Sequence, residues 1–213
     1  RRLFRPPFVY ALAATGLFYA AWTIASNTMG QFSALLFTEL GGTTIQIFGL
    51  IKLVNIPLGL LSGFAFMRIV DTRWRYRWFV VGAVIQIAAF ATPLLFDGAL
   101  WSLMVMTYAF SVGAAFAGEA LFKVWSQELY PTLLRSTAQG ASIAFARIAA
   151  AGAAVFIPTL ATQNPSSLFV LLTACIVVSS LIGFLWVRVL PTAPSDAVGG
   201  APDDRRTPAE TAS

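Results

Sequence analysis

The sequence predicts an all-α membrane protein of six transmembrane helices, and three observations carry that prediction. Of its 213 residues, 58% are hydrophobic and only 11% are charged, about half the charge that soluble domains carry. The apolar residues form continuous runs without the alternation of barrel strands, each long enough for the roughly 20 helical residues that cross a bilayer. Lysine and arginine, finally, gather on alternate connections between those runs.

The runs follow in order. The first covers about Phe8–Phe37, behind Arg1, Arg2 and Arg5. Gly41-Gly42 turns the chain into the second, about Thr43–Met67, where Pro57 predicts a kink. The third is about Trp78–Phe96, and Asp97-Gly98 leads into the fourth, about Leu100–Trp125. Tyr130-Pro131-Thr132 precedes the fifth, about Ser136–Thr162, and Asn164-Pro165 the sixth, about Ser167–Val187. These connections hold the residues that turns require. The excess length of some runs fits tilt. Small residues in the fifth, such as Ala149-Ala150-Ala151-Gly152, permit close helix approach. Residues 1–191 thus read as one bundle, and 192–213, rich in Pro, Ala, Asp, Gly and Thr, as a disordered cytoplasmic tail.

Charge sets the expected sidedness. Arg68, Arg73, Arg75 and Arg77 follow the second run, Arg135 the fourth and Arg188 the sixth, whereas the opposite connections hold Glu39 and Asp97 and no basic residue. The positive-inside rule predicts a multi-pass protein of the cell membrane with both ends of this segment cytoplasmic. It also accounts for the net charge of +5 without nucleic acid. Histidine is absent and Cys175 stands alone, so His-dependent nucleophile pairs, HExxH zinc sites and an internal disulfide are excluded. No phosphate-binding glycine motif follows a strand, and neither an enzyme nor a bound cofactor is expected. The chain opens without Met, and the expectation is a trimmed terminus or part of a longer polypeptide.

Four charged residues fall inside the runs. Lys52 lies ten residues past Gly42, and Glu119 and Lys123 lie twelve and eight before Pro131. Arg147 lies twelve past Arg135, which at about 1.5 Å per residue is near mid-depth. A charge there costs about 2.5–3.5 kcal/mol on insertion scales, so such groups face protein or water. Thr23, Asn27 and Gln31 recur every four residues as one polar stripe, and Lys52, Asn55, Gly59 and Ser62 form a second. Glu119 and Lys123 are spaced to pair along one helix face, and Gln139 shares a face with Arg147. Helix-to-helix glue is the plainer reading of these groups; a shared polar pathway is the functional one. Three positive charges against one negative ask for a further carboxylate or an anionic ligand.

Around the fourth connection the sequence reads Trp125-Ser126-Gln127-Glu128-Leu129-Tyr130-Pro131-Thr132-Leu133-Leu134-Arg135-Ser136-Thr137-Ala138-Gln139-Gly140. This resembles the E-[LF]-[YF]-P-T-x-x-R segment between the tenth and eleventh helices of major facilitator superfamily carriers, most of all bacterial inositol and sugar transporters. The resemblance runs from about Phe8 to Pro191 and implies the C-terminal six-helix half of a twelve-helix fold. Asp71-Thr72-Arg73-Trp74-Arg75-Tyr76-Arg77 is similar to the loop after the family's eighth helix, with Trp74 at the usual turn glycine. It implies alternating access about a mid-membrane site. Glu128 and Arg135 would then pair and part as an inner gate, with Asp71, Arg73, Arg75 and Arg77 serving the neighbouring loop. Thr23, Asn27 and Gln31 would bind hydroxyls, since an amide both donates and accepts.

Three functions follow as expectations. The first is a symporter for inositol or a sugar-like polyol, driven by the proton gradient. Its implied solute site is Thr23, Asn27, Gln31, Lys52, Asn55, Glu119, Lys123 and Arg147. The second is an organic-anion carrier using Lys52 and Arg147. The third is a non-transporting six-helix interaction protein or remnant. Expected partners are membrane lipid, a small solute, and an N-terminal six-helix half in the same chain or a second half-transporter.

Overall fold

Caps and helix breakers divide the apolar runs into eight α-helices. The computed structural model describes residues 8–187, so Arg1, Arg2, Arg5, Arg188 and the expected tail 192–213 lie outside the described residues. The helices are α1 (Phe8–Gln31), α2 (Ser33–Glu39), α3 (Ile45–Ile69), α4 (Arg75–Leu95), α5 (Leu100–Ala117), α6 (Glu119–Glu128), α7 (Thr132–Gln163) and α8 (Pro165–Leu181). A π-helical turn over Ile182–Val187 continues α8. Six spans result, with α5 and α6 together forming the fourth. No strand occurs among the described residues.

The connections work as their residues dictate. Gly42 takes φ +60°, Gly98 φ +69° and Asp97 φ 49°, left-handed values that glycine and Asp tolerate best. The Thr44 hydroxyl accepts from Ile47 N–H at 3.4 Å, and Asn164 Oδ1 accepts from Ser167 N–H at 3.3 Å. Each satisfies an amide that the first helical turn leaves free. Pro165 occupies the first turn of α8, where its missing N–H costs nothing. Pro57 stays inside an unbroken α3.

Two spans depart from the expected continuous helices. The first is interrupted at Phe32, between α1 and α2. The fourth is interrupted at Gly118, whose φ −124° and ψ −143° leave the helical region. A glycine is required there by space. A Cβ on Gly118 would meet the Trp22 ring at 2.7 Å and the Ala114 carbonyl oxygen.

Packing follows a repeating pattern. α1 lies against α7 and α8, and α5 lies against α3 and α4, while α4 and α8 meet each other. Exchanging the first three spans with the last three leaves this neighbour pattern unchanged, as expected for a bundle built of two three-helix units. The most extensive contact, between α4 and α5, is a glycine contact. A Cβ on Gly82 would sit 3.0 Å from the Gly113 carbonyl, and one on Gly113 would sit 2.8 Å from the Gly82 carbonyl. Small residues of this kind let helix backbones approach in a membrane. α1 is the most buried span, and α3 and α7 are the least.

The core is aromatic. Phe18, Phe79 and Trp125 meet edge-on, with Phe18–Trp125 centroids 5.1 Å apart and Phe79–Trp125 centroids 5.4 Å apart. All three close on Gly183 in the π-helical turn. Ser179 Oγ donates to the Phe18 carbonyl at 3.0 Å and ties α8 to α1.

Candidate functional site

Polar groups inside the bundle collect around the middle of α1. Tyr19 is buried there, its ring stacked on Phe122 of α6 at 4.2 Å between centroids. The Thr23 hydroxyl, one turn further on, is buried without a hydrogen-bond partner. Glu119, Lys123 and Arg147 all stand close enough to act electrostatically on the Tyr19 hydroxyl. Tyr19 of α1 is thus within electrostatic reach of charged side chains on α6 and α7. Within this group Lys123 Nζ pairs with Glu119 Oε1 at 2.8 Å. Both members of the pair are about half exposed, and Arg147 is exposed on α7.

The remaining predicted residues spread from this centre. Asn27 is half-buried and Gln31 exposed, so the α1 stripe runs from the core outward. Lys52, half-buried on α3, points its Nζ at the Met29 carbonyl at 3.5 Å and over the Phe48 ring at 5.5 Å. Asn55, one turn along, has a buried Oδ1 with no hydrogen-bond donor. Tyr108 of α5 reaches the same turn of α3 by donating to the Ile51 carbonyl at 3.4 Å. Lys52 and Asn55 thus sit between α1, α3 and α5, nearer the end that carries Glu39 and Asp97.

At the opposite, arginine-rich end, Arg75 grips Glu128 with two hydrogen bonds, of 2.6 and 3.1 Å. This bidentate pair joins the start of α4 to the end of α6. Arg135, on α7, is half-buried, and its Nε is buried without a hydrogen-bond partner. Asp71, Arg73 and Arg77 are exposed, with the Arg77 guanidinium 4.5 Å over the Trp74 ring. Tyr130, in the turn between α6 and α7, is buried and shares a 3.2 Å hydrogen bond with the Thr15 hydroxyl of α1. Burial pushes its phenol above the ordinary value, the Thr15 bond acting in the other direction.

A second polar centre escaped the sequence reading. Gln86 of α4 accepts from the Trp22 indole N–H at 3.0 Å and donates to the carbonyls of Gly113 and Ala117 at 3.3 and 3.2 Å. Its signal was available, because it is the lone amide in the apolar run Phe79–Leu95. Separately, a groove of about 440 Å³ opens between α1 and α7, lined by Leu12, Gly16, Leu17, Ser142 and Phe145 among others. Its apolar walls suit a helix or an acyl chain better than a polar solute. No cluster of three or more His, Cys, Asp or Glu side chains stands together among the described residues.

No family model matches the chain. Over 186 residues it is 24% identical to the minor myo-inositol transporter IolF of Bacillus subtilis (strain 168), a match covering 86% of this chain and 42% of that protein. The chain is a distant homologue of a transporter. It spans about two fifths of the length of the curated relative it matches. The match extends over 186 residues rather than one motif, and the described residues form six helices long and apolar enough to cross a membrane.

Proposed function

We propose that this bundle is the C-terminal half of a major facilitator carrier that moves a small polyhydroxy solute, of the inositol or sugar class, by alternating access. The observation that carries the reading is the Glu119–Lys123 pair of α6 within electrostatic reach of the buried Tyr19 of α1, with the unpartnered Thr23 hydroxyl one turn on and Arg147 acting from α7. An ion pair and two hydroxyls offer both donors and acceptors, which is what a ring of hydroxyls needs. Asn27, Gln31, Lys52 and Asn55 extend the site toward the acidic end. The homology to a myo-inositol transporter supports the solute class.

In this reading the arginine-rich end is cytoplasmic, and Arg75–Glu128 is part of its gate, with Asp71, Arg73, Arg77 and Arg135 around it. The N-terminal half supplies the facing helices, against the poorly buried α3 and α7, and the proton gradient drives uptake. The test is uptake of labelled inositol by the full-length protein in energised vesicles. Glu119→Gln should reduce uptake at least tenfold; undiminished uptake in that variant removes this site.

A second reading has its own observation. Neither Lys52 nor Arg147 has a carboxylate within ion-pair distance among the described residues. Uncompensated cations in a membrane invite an organic anion as solute. Arg147→Ala then abolishes anion uptake at all pH values, whereas preserved transport of a neutral polyol in that variant refutes the anion reading.

A further inference from the structure

The Glu119–Lys123 pair is placed by something other than its own contacts. Both side chains are half exposed, and Glu119 is the first residue of α6, directly after the break at Gly118. Whatever fixes that break fixes the pair.

Gln86 meets the requirement. It is 1% exposed and uses both ends of its amide across three helices. Ala117 ends α5, and the last carbonyls of an ended helix need partners from elsewhere. In a bilayer those partners must come from protein. Gln86 Nε2 supplies Ala117 and also the Gly113 carbonyl, while its Oε1 holds the Trp22 indole. The held indole lies where a side chain on residue 118 would go. The Gly82–Gly113 contact brings α4 near enough to α5 for a glutamine to reach. Beyond the break, Phe122 stacks on Tyr19, which itself stacks on Trp22 at 6.1 Å.

We infer that Gln86 is a positioning residue: with Trp22 it clamps the fourth span at Gly118 and so aims the Glu119–Lys123 pair at Tyr19 and Arg147. The structural part of this inference stands on the hydrogen bonds alone, and its kinetic consequence rests on the transport reading above. Without the clamp, α6 samples several directions, and only a fraction of molecules present an assembled site. Apparent affinity falls by that fraction. Solute binding restores the assembled state, so the saturated rate is little changed.

The experiment uses the full-length protein with Cys175→Ser, carrying spin labels at Val105→Cys on α5 and Gln127→Cys on α6, both exposed positions. Unmodified Gln86 should give one narrow distance. Gln86→Met, similar in length but without the amide, should give a broad one that narrows again on adding saturating inositol. KM for inositol should rise about tenfold, the scale of one unsatisfied buried polar group, with Vmax within about twofold. Trp22→Phe, which keeps a ring but deletes the N–H, should broaden the distance in the same direction, and it decides the matter if Gln86→Met fails to reach the membrane. A distance as narrow as wild type in a variant that does reach the membrane overturns the clamp. A wild-type protein that moves no inositol refutes the transport reading instead, while the spin-label distances still decide the clamp.

Discussion

The glycine contact between α4 and α5 allows a stability prediction worked from distances. In Gly113→Ala the new Cβ would lie 2.6 Å from Gln86 Cγ, 2.8 Å from the Gly82 carbonyl and 3.2 Å from Gln86 N. Ordinary contact begins at 3.4 Å, so α4 and α5 must part by roughly 0.8 Å. Overpacking of this kind costs about 1–3 kcal/mol. The same movement stretches the Gln86 bonds, now 3.3 and 3.2 Å, to about 4 Å. That is beyond hydrogen bonding and leaves a buried amide unsatisfied, at about 1–3 kcal/mol more. Alanine regains about 1 kcal/mol of helix propensity. Because the two losses share one cause and do not simply add, a net destabilisation of about 2–4 kcal/mol is expected. Equilibrium unfolding of the full-length protein in mixed micelles measures it. Gly63→Ala is the control, since a Cβ there meets nothing within 4 Å, and it should be neutral or gain up to about 1 kcal/mol. Equal stability of Gly113→Ala and wild type would refute the packing argument.

Reversing one member of the Arg75–Glu128 pair should stop uptake, and the double reversal, Arg75→Glu with Glu128→Arg, should recover part of it. Stability should change by less than about 1 kcal/mol, because each side chain is about one-third exposed. Tyr130→Phe removes the Thr15 hydrogen bond and should cost about 1 kcal/mol in the same unfolding assay. Lys52→Met should weaken inositol uptake if Lys52 extends the polyol site as proposed, and should abolish uptake of an organic acid if the anion reading holds.

What the sequence made legible follows from how local each signal is. Six spans could be counted because lipid forces every apolar run into helix. The Glu119–Lys123 pair could be named because its partners are four residues apart on one helix. Glu128 illustrates the opposite case. Its ion-pair partner, Arg75, is 53 residues away, whereas Arg135, nearer in sequence and part of the same motif, makes no ion pair with it among the described residues. The break at Gly118 was invisible for the same reason. Its negative φ is open to any residue; what calls for glycine is the closeness of Trp22, which Gln86 holds, and both arrive from other spans. Tyr19 went unnamed because aromatic residues in a span read first as core, and it is buried in that core.

The two interruptions belong together. Exchange of the three-helix units relates the first span to the fourth, and these are the two that break, at Phe32 and at Gly118. The spans run in opposite directions, so one break falls toward the acidic end and the other toward the arginine-rich end. Each short segment beyond a break is also tied to a neighbouring element. α2 is held by the Phe37–Phe48 ring contact at 5.4 Å and by the Thr43 hydroxyl on the Phe37 carbonyl at 2.9 Å. α6 is held by Arg75–Glu128, with Tyr130–Thr15 just beyond it. The spans that contain α1 and α5 are meanwhile the two most buried of the six among the described residues. In the alternating-access reading proposed above, each end of the bundle would open at one of these two breaks. The break toward the arginine-rich end is set by a glycine, a glutamine and a few interhelical contacts.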